Sequence, residues 1–170
     1  WSKTTWRAGL DYDLDTRTLL YATVSTGYKA GSFNDGADGI TPDEQLYYKP
    51  EMLTSYEVGF KTRTADNKLR LQGSAFYYDY KDLQLSFIGT FNGIPAGITT
   101  NAGKARIKGI ELEGLVMPSL RNRLDFSISL LDAEYAQYFP SGTGTQPSLN
   151  GYPLERSPKV TVTAGYSYTL

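Results

Sequence analysis

Apolar and polar residues alternate along seven separate runs of this chain, and this pattern constrains the fold more than any other feature. In one run, Leu20 and Ala22 lie on one face, and Tyr21 and Thr23 lie on the other. The runs cover residues 4–12, 20–28, 52–61, 69–77, 110–116, 123–130 and 160–168. Because successive side chains of a β-strand point to opposite faces, each run predicts a strand with one apolar and one polar face. The sequence therefore indicates an all-β protein.

The links between these runs alternate strictly in length. The short links, rich in Asp, Asn, Pro and Arg, cover residues 13–18, 63–68 and 118–122. The long links, rich in Gly, Pro, Asn and Thr, cover residues 29–50, 88–101 and 139–158. Because antiparallel neighbours reverse direction, all short turns lie at one end of the sheet and all long loops at the other. A soluble sandwich has no reason to sort its loops in this way, whereas a bacterial outer-membrane barrel does.

Strand length and strand number refine this interpretation. A strand of about 9–11 residues crosses a bilayer when it is tilted, and aromatic side chains near the run ends would form the interfacial girdles. Seven antiparallel strands make an open arc, and lipid does not tolerate unpaired strand edges. We therefore expect residues 1–170 to be an internal part of a larger antiparallel transmembrane β-barrel domain. The first residue is Trp1 and no signal stretch follows it, which favours the same expectation.

Composition excludes several function classes. The chain has no Cys and no His, which removes disulfides, thiolate nucleophiles, Ser-His catalysis and His-ligated metals. Its net charge of −1 argues against a nucleic-acid partner. A mean hydropathy of −0.39, with no window of 18 apolar residues, argues against a transmembrane helix. We predict no enzymatic activity, no cofactor and no metal site.

Six blocks of the sequence resemble the C-terminal barrel half of TonB-dependent outer-membrane receptors. They are GYKAGSFN at 27–34, KPE at 49–51, SYEVGFK at 55–61, AFYYDYKDLQ at 75–84, NAGKARIKGIELE at 101–113 and LDAEY at 131–135. The resemblance implies a barrel of about 22 strands in the outer membrane of a Gram-negative bacterium. It also implies an N-terminal plug domain and energy transmitted by TonB. The implied partners are outer-membrane lipid, the plug, TonB and a scarce ligand such as a ferric siderophore.

Two carboxylates on the polar face are the sharpest candidates for function. Glu57 and Glu111 lie near Gly59 and Gly109, and the resemblance implies that they pair with arginines of the plug. Arginine–carboxylate pairs are directional and strong when shielded from water. The plug-contacting candidates on this face are Glu57, Glu111, Glu113, Lys61 and Arg70. The alternative is that the two carboxylates are solvated lumen residues or pair with barrel neighbours such as Arg70 and Lys61.

The ends of the strands next to the long loops are the candidate ligand side. The candidates are Tyr28, Lys29, Phe33, Asn34, Tyr47, Tyr48 and Asn101. Aromatic and amide groups there would engage a large amphipathic ligand. The alternative is that the aromatics belong to the outer girdle and the asparagines to turns. The acidic stretch Asp35, Asp38, Asp43 and Glu44 lacks the spacing of an EF-hand calcium loop, which favours a solvated loop.

Two other functions stay open at this point. A passive porin shares the alternation but would have no plug and a steady conductance. A soluble β-sandwich binding module would bury its apolar face against a second sheet and would fold without detergent. The sequence does not choose between a ferric siderophore, haem, vitamin B12 and an oligosaccharide as the ligand, although the resemblance favours an iron complex.

Overall fold

The computed structural model describes residues 1–34, 46–91, 94–138 and 148–170. The described residues form nine β-strands: β1 (Arg7–Asp15), β2 (Thr18–Lys29), β3 (Ser32–Phe33), β4 (Tyr47–Tyr48), β5 (Glu51–Arg63), β6 (Leu69–Phe91), β7 (Ile94–Ser119), β8 (Asn122–Tyr138) and β9 (Val160–Tyr168). In this part of the chain, no helix has the length and apolar character needed to cross a membrane.

Seven of the strands form one antiparallel sheet in the order β1-β2-β5-β6-β7-β8-β9, with β1 and β9 at its two edges. The short strands β3 and β4 pair with each other in a separate ribbon. The turns at 16–17, 64–68 and 120–121 lie at one end of the sheet. This arrangement confirms the predicted all-β class, the open antiparallel arc and the seven predicted strands.

One predicted long link is wrong. Residues 88–101 were expected to be a loop, but they continue β6 and β7 as a paired hairpin that reaches Phe91 and Ile94. Its register places Phe87 opposite Ile98, and Ile98 is fully buried. The composition of this segment, rich in Gly, Thr and Asn, resembles that of a loop, but cross-strand pairing determines its conformation. The acidic residues Asp35, Asp38, Asp43 and Glu44 lie outside the described residues.

The two faces of the large sheet differ as the alternation predicts. Large apolar side chains on one face stay open to the surroundings, such as Val58 at 55% exposure and Ile110 at 57%. A soluble sheet would bury such a face, whereas a transmembrane barrel presents it to lipid. The buried apolar residues lie instead toward the long-loop end, where Ala105, Ala133 and Tyr135 are nearly inaccessible.

Candidate functional site

The polar face carries a shallow pocket of about 250 Å³ in the middle of strands β2, β5, β6 and β7. Its lining consists of Tyr21, Glu57, Lys61, Gln72, Gly73, Ser74, Phe76, Tyr78, Glu111 and Glu113. The strand register creates this set, since Glu57 lies opposite Phe76, and Ser74 lies opposite Glu111. We call this surface the polar wall. It brings together four of the five predicted plug-contacting residues.

Tyr21 holds Glu57 in place on the polar wall. The phenol Oη of Tyr21 donates a hydrogen bond of 2.7 Å to Oε1 of Glu57. Gly59 lies directly opposite Tyr21, and a Cβ at this position would approach the Tyr21 ring to 2.6 Å. A glycine at 59 therefore leaves the space that the ring needs to reach Glu57. The sequence motif showed Gly59 but not this role.

Glu111 has a freer environment than Glu57. Its side chain is exposed, and no carboxylate bond to another described residue is present. Near it, the rings of Phe76 and Tyr78 stack with centroids 4.8 Å apart. Phe76 lies over Gly109, where a Cβ would approach the ring to 2.6 Å. The glycine and the two rings form an aromatic surface beside the carboxylate.

The charged neighbours of these carboxylates do not neutralise them. Among the described residues, the ion pairs within 4.0 Å are Lys68–Asp66, Lys81–Asp79, Lys108–Asp132 and Arg123–Asp125. None of them includes a plug-contacting candidate. Lys61 lies 6.0 Å from the centre of the Tyr21 ring, and Glu113 accepts a bond of 2.5 Å from the amide of Gln72. Both signs of charge on the wall are thus available to a partner.

A larger pocket of about 640 Å³ continues the polar wall toward the short turns. Arg70, the fifth candidate, lines it together with Lys61, Glu113 and Asp125. Arg70 lies opposite Arg63 in the register of β5 and β6. The lining carries four cations (Arg17, Lys61, Arg63 and Arg70) and four carboxylates (Asp13, Asp15, Glu113 and Asp125), so charges of both signs are present in equal number toward this end.

The aromatic candidates on the ligand side gather in the ribbon of β3 and β4. Phe33 pairs with Tyr47, and these side chains are 60% and 69% exposed. Tyr48 lies next to Tyr47 and is half-buried. Tyr28 and Lys29 end strand β2 nearby in the chain and are exposed. The ribbon is a site at which a ligand can meet aromatic surface.

The two candidate asparagines bond to the chain's own backbone. The carboxamide of Asn34 accepts a bond from the Thr99 N–H at 2.9 Å and donates to the Thr99 carbonyl at 3.0 Å. The carboxamide of Asn101 accepts from the Lys49 N–H at 2.6 Å and donates to the Lys49 carbonyl at 2.8 Å. Each amide pairs with a peptide group as a neighbouring strand would.

Gln84 completes this arrangement, and sequence reasoning missed it. Its side chain is 8% exposed, and Nε2 donates to the carbonyls of Ala30 at 2.9 Å and Lys49 at 3.1 Å. Its backbone N–H donates to the carboxylate of Glu51 at 2.9 Å. We call Asn34, Gln84 and Asn101 the loop clamp. The sequence held one signal for this role. Gln84 is the last residue of the block 75–84 that resembles the family, and the regular alternation of β6 is interrupted just before it, at the bulge after Tyr80.

Solved structures with similar folds come from several outer-membrane proteins. The ferric yersiniabactin uptake receptor FyuA from Yersinia pestis matches with a TM-score of 0.68 and 24% identity, over 98% of this chain and 22% of that one. BauA, the ferric preacinetobactin receptor from Acinetobacter baumannii, matches with a TM-score of 0.67 and 20% identity, over 96% and 22%. The copper transporter OprC matches with a TM-score of 0.64 and 19% identity, over 95% and 23%.

These likenesses establish the fold, and this chain spans less than a quarter of the length of each of these three proteins. A model of one protein family matches the sequence itself. Its description is "TonB dependent receptor-like, beta-barrel", and it covers residues 1–170. With an outward apolar face and a polar wall, the chain therefore belongs to the β-barrel domain family of TonB-dependent receptors, outer-membrane transport proteins of Gram-negative bacteria and not enzymes.

Proposed function

We propose that this chain forms part of the barrel wall of a receptor that takes up a ferric siderophore in a TonB-dependent manner. The family match over the whole chain supports the transport class. Two of the similar structures are receptors for ferric yersiniabactin and ferric preacinetobactin, which favours an iron complex. The observation that carries the proposal is the polar wall, where carboxylates and cations on one face have no ion-pair partner among the described residues.

In the proposed mechanism, the polar wall holds the plug until TonB acts on it. Glu57 and Glu111 accept hydrogen bonds from plug arginines, and Tyr21 keeps the first carboxylate oriented. Lys61 and Arg70 offer the opposite charge to plug carboxylates. Such pairs are strong only while water is excluded. Displacement of the plug would rehydrate the wall and release the contacts, so a moderate pull can break them in sequence.

The ligand first meets the exposed side of the β3–β4 ribbon. Phe33 and Tyr47 present adjacent rings there, and Tyr also supplies a hydroxyl. Rigid aromatic side chains bind planar and amphipathic ligands at low entropic cost. The loop clamp holds the backbone of this ribbon against β6 and β7, so that the rings keep one position.

Uptake in cells tests the transport proposal. Cells without the receptor gene are complemented with the full receptor, in strains with and without TonB, and supplied with radioiron-labelled ferric yersiniabactin or ferric preacinetobactin. Uptake of at least one complex that disappears without TonB would support the proposal. Uptake that persists without TonB would indicate a passive channel, and copper(II) uptake without iron uptake would contradict the siderophore assignment.

Conductance tests the role of the two carboxylates. Glu57→Gln combined with Glu111→Gln in the full receptor should loosen the plug and raise the leak conductance in planar bilayers. Glu155→Gln, an exposed carboxylate outside the sheet, is the matched control and should leave the conductance unchanged. Unchanged conductance and uptake in the double variant would contradict plug pairing.

A further inference from the structure

The charges of the larger pocket are equal in number but sorted by strand. Its cations lie in the middle, on β5 and β6 and in the turn before β2. Its carboxylates lie at the two sides, with Asp13 and Asp15 on β1, Glu113 on β7 and Asp125 on β8. A sheet that balances its own charges places opposite signs directly across from each other, because such pairs are favourable. The sorting instead leaves one cationic surface in the centre of the pocket.

Three arginines lie side by side on this cationic surface. Arg63 is the direct partner of Arg70 in the register of β5 and β6, and its backbone N–H donates to the Arg17 carbonyl at 3.2 Å. The adjacent hydroxyls of Thr18 and Thr62 bond to each other at 2.9 Å. All three arginines line the pocket and are exposed. We call them the arginine row, and it extends over about 10 Å, because neighbouring strands are about 5 Å apart.

No carboxylate of the described residues neutralises the arginine row within 4.0 Å. Asp15 accepts a bond from the backbone N–H of Arg17 at 2.6 Å, and Asp125 pairs with Arg123 at 3.7 Å. Like charges directly opposite each other destabilise a sheet. The row therefore costs the sheet stability, and a local conflict of this kind is typical of a functional site.

The position of the arginine row places it at the end of the route through the barrel. The row lies beside the short turns at 16–17 and 64–68, and short turns are periplasmic in outer-membrane barrels. A ligand that enters between the long loops therefore reaches the row last. The pocket volume of about 640 Å³ is in the range of small-molecule sites. Cations on a low-dielectric wall concentrate anionic ligands nearby.

We propose that the arginine row is a transit site for an anionic iron complex at the periplasmic end of the barrel. This inference rests on the proposed transport function and adds the charge class of the ligand. Its class is an iron(III) complex of catecholates or carboxylates, whose negative charges outnumber that of the metal. Arg17 and Arg63 act on this complex after the plug has moved, and their guanidinium groups donate to its oxygens.

The carboxylates at the two sides of the pocket give this site its weakness. They repel the same anionic complex and confine it to the arginine row. Passage through a membrane protein requires attraction that is strong enough for entry and weak enough for release. A cationic centre between two acidic margins meets both requirements, whereas an uninterrupted cationic pocket would retain the complex.

Uptake by cells that carry the full receptor tests this proposal. The probes are three radioiron complexes: an anionic tris-catecholate, anionic ferric citrate and an uncharged tris-hydroxamate. The wild type should take up at least one anionic complex. Arg17→Gln combined with Arg63→Gln should lower the maximal rate of that uptake about tenfold. Binding of the same complex to cells without TonB precedes passage, so its Kd should stay within about twofold.

Two control variants separate charge from position. Arg17→Lys with Arg63→Lys keeps the charge and should retain at least about half of the maximal rate. Lys68→Gln with Arg121→Gln removes two cations near the short turns but outside the pocket lining, and should leave the rate within about twofold. Because the row is repulsive, the Arg17 and Arg63 glutamine variant should have a thermal unfolding midpoint no lower than that of the wild type.

The other outcomes overturn the proposal. An unchanged maximal rate in the glutamine variant would exclude passage over the arginine row. A raised leak conductance of this variant in planar bilayers without any iron complex would show that the row holds plug carboxylates instead. Wild-type uptake of the hydroxamate complex alone would assign an uncharged ligand and leave the transport proposal intact. The absence of any TonB-dependent iron uptake would contradict both proposals.

Discussion

The loop clamp and the polar wall are both polar parts of one sheet, but their polar side chains have different hydrogen-bond partners. In the loop clamp, three carboxamides bond to backbone groups of the same chain, and Gln84 is almost fully enclosed. On the polar wall, Glu57 accepts one bond from Tyr21, while Glu111 is exposed and has no such bond among the described residues. The clamp is complete in itself, whereas the wall is open to a partner.

This difference follows from the chemistry of the side chains. A carboxamide carries both a donor and an acceptor, so it pairs with a peptide group and replaces a missing strand. A carboxylate only accepts, and it requires a cation or several N–H groups from elsewhere. The amides of the loop clamp therefore stabilise the chain, and the charges on the polar wall are the groups that we propose for binding a partner.

The largest expected effect comes from removing the buried amide of the loop clamp. Gln84→Leu removes the side-chain amide donor from the Ala30 carbonyl and one of the two amide donors to the Lys49 carbonyl, which should cost about 2 kcal/mol locally. Hydrogen exchange of the full receptor should then become about thirtyfold faster in segments 29–34 and 46–51. Gln72→Leu on the exposed wall is the control and should leave this exchange unchanged. Equal effects of the two variants would remove the distinction between clamp and wall.

The next effect concerns the glycine under the Tyr21 ring. Gly59→Ala places a Cβ 2.6 Å from the ring and from the Gly73 carbonyl. Overpacking of this kind costs about 1–3 kcal/mol and should push Tyr21 away from Glu57. Gly27→Ala in β2 is the control, because nothing lies within 4 Å of a Cβ there. Denaturant unfolding of the two variants measures the difference, and a Gly59 variant as stable as the control would contradict the packing role.

The sheet was predictable from sequence because each strand is identified by a pattern of residues that are neighbours in the chain. Alternation over nine residues, as in 160–168, identifies a strand and its two faces without knowledge of its neighbours. The order of short and long links then gives the meander. The prediction failed at 88–101, where the pairing of Phe87 with Ile98 outweighs a loop-like composition.

The loop clamp was beyond sequence reasoning because its contacts are distant in the chain. Asn34 and Thr99 are 65 positions apart, and no spacing rule connects them. Asn34 follows strand β3, but Asn101 lies inside β7 and not at a strand–loop junction, because 88–101 is part of a paired hairpin. The amides of both residues were interpreted as candidates for a ligand rather than as backbone partners. Glu57 and Glu111 could be found because strand parity assigns them to the polar face.

A smaller effect distinguishes the two carboxylates of the polar wall. Tyr21→Phe removes the hydrogen bond to Glu57 and should lower the free energy of unfolding by about 1 kcal/mol. Glu111→Gln removes no bond to a described residue and should leave the stability unchanged within about 0.5 kcal/mol. Thermal and denaturant unfolding of the full receptor check both values. A larger loss for Glu111→Gln would mean that the barrel itself depends on this carboxylate.

The smallest effect lies in the exposed turn between β5 and β6, where hydrogen bonds are as dense as in the loop clamp but water surrounds them. A hydrogen bond from the Thr64 hydroxyl, and then one from the Lys68 backbone N–H, hold the pKa of Asp66 below its usual value. A carboxyl with a lowered pKa in the folded state stabilises the turn above its unfolded pKa of about 3.9. That contribution disappears as the pH falls through the folded pKa.

Asp66→Asn should therefore weaken the turn at pH 7, and the difference from the wild type should shrink as the pH falls through the folded pKa. Amide exchange at Lys68, compared between variant and wild type at each pH, measures this. Because both partners are exposed, the change should be far smaller than that of Gln84→Leu. If Asp66→Asn and Gln84→Leu changed amide exchange equally, the burial of Gln84 would not explain the stability of the loop clamp. The number of hydrogen bonds alone would then explain it.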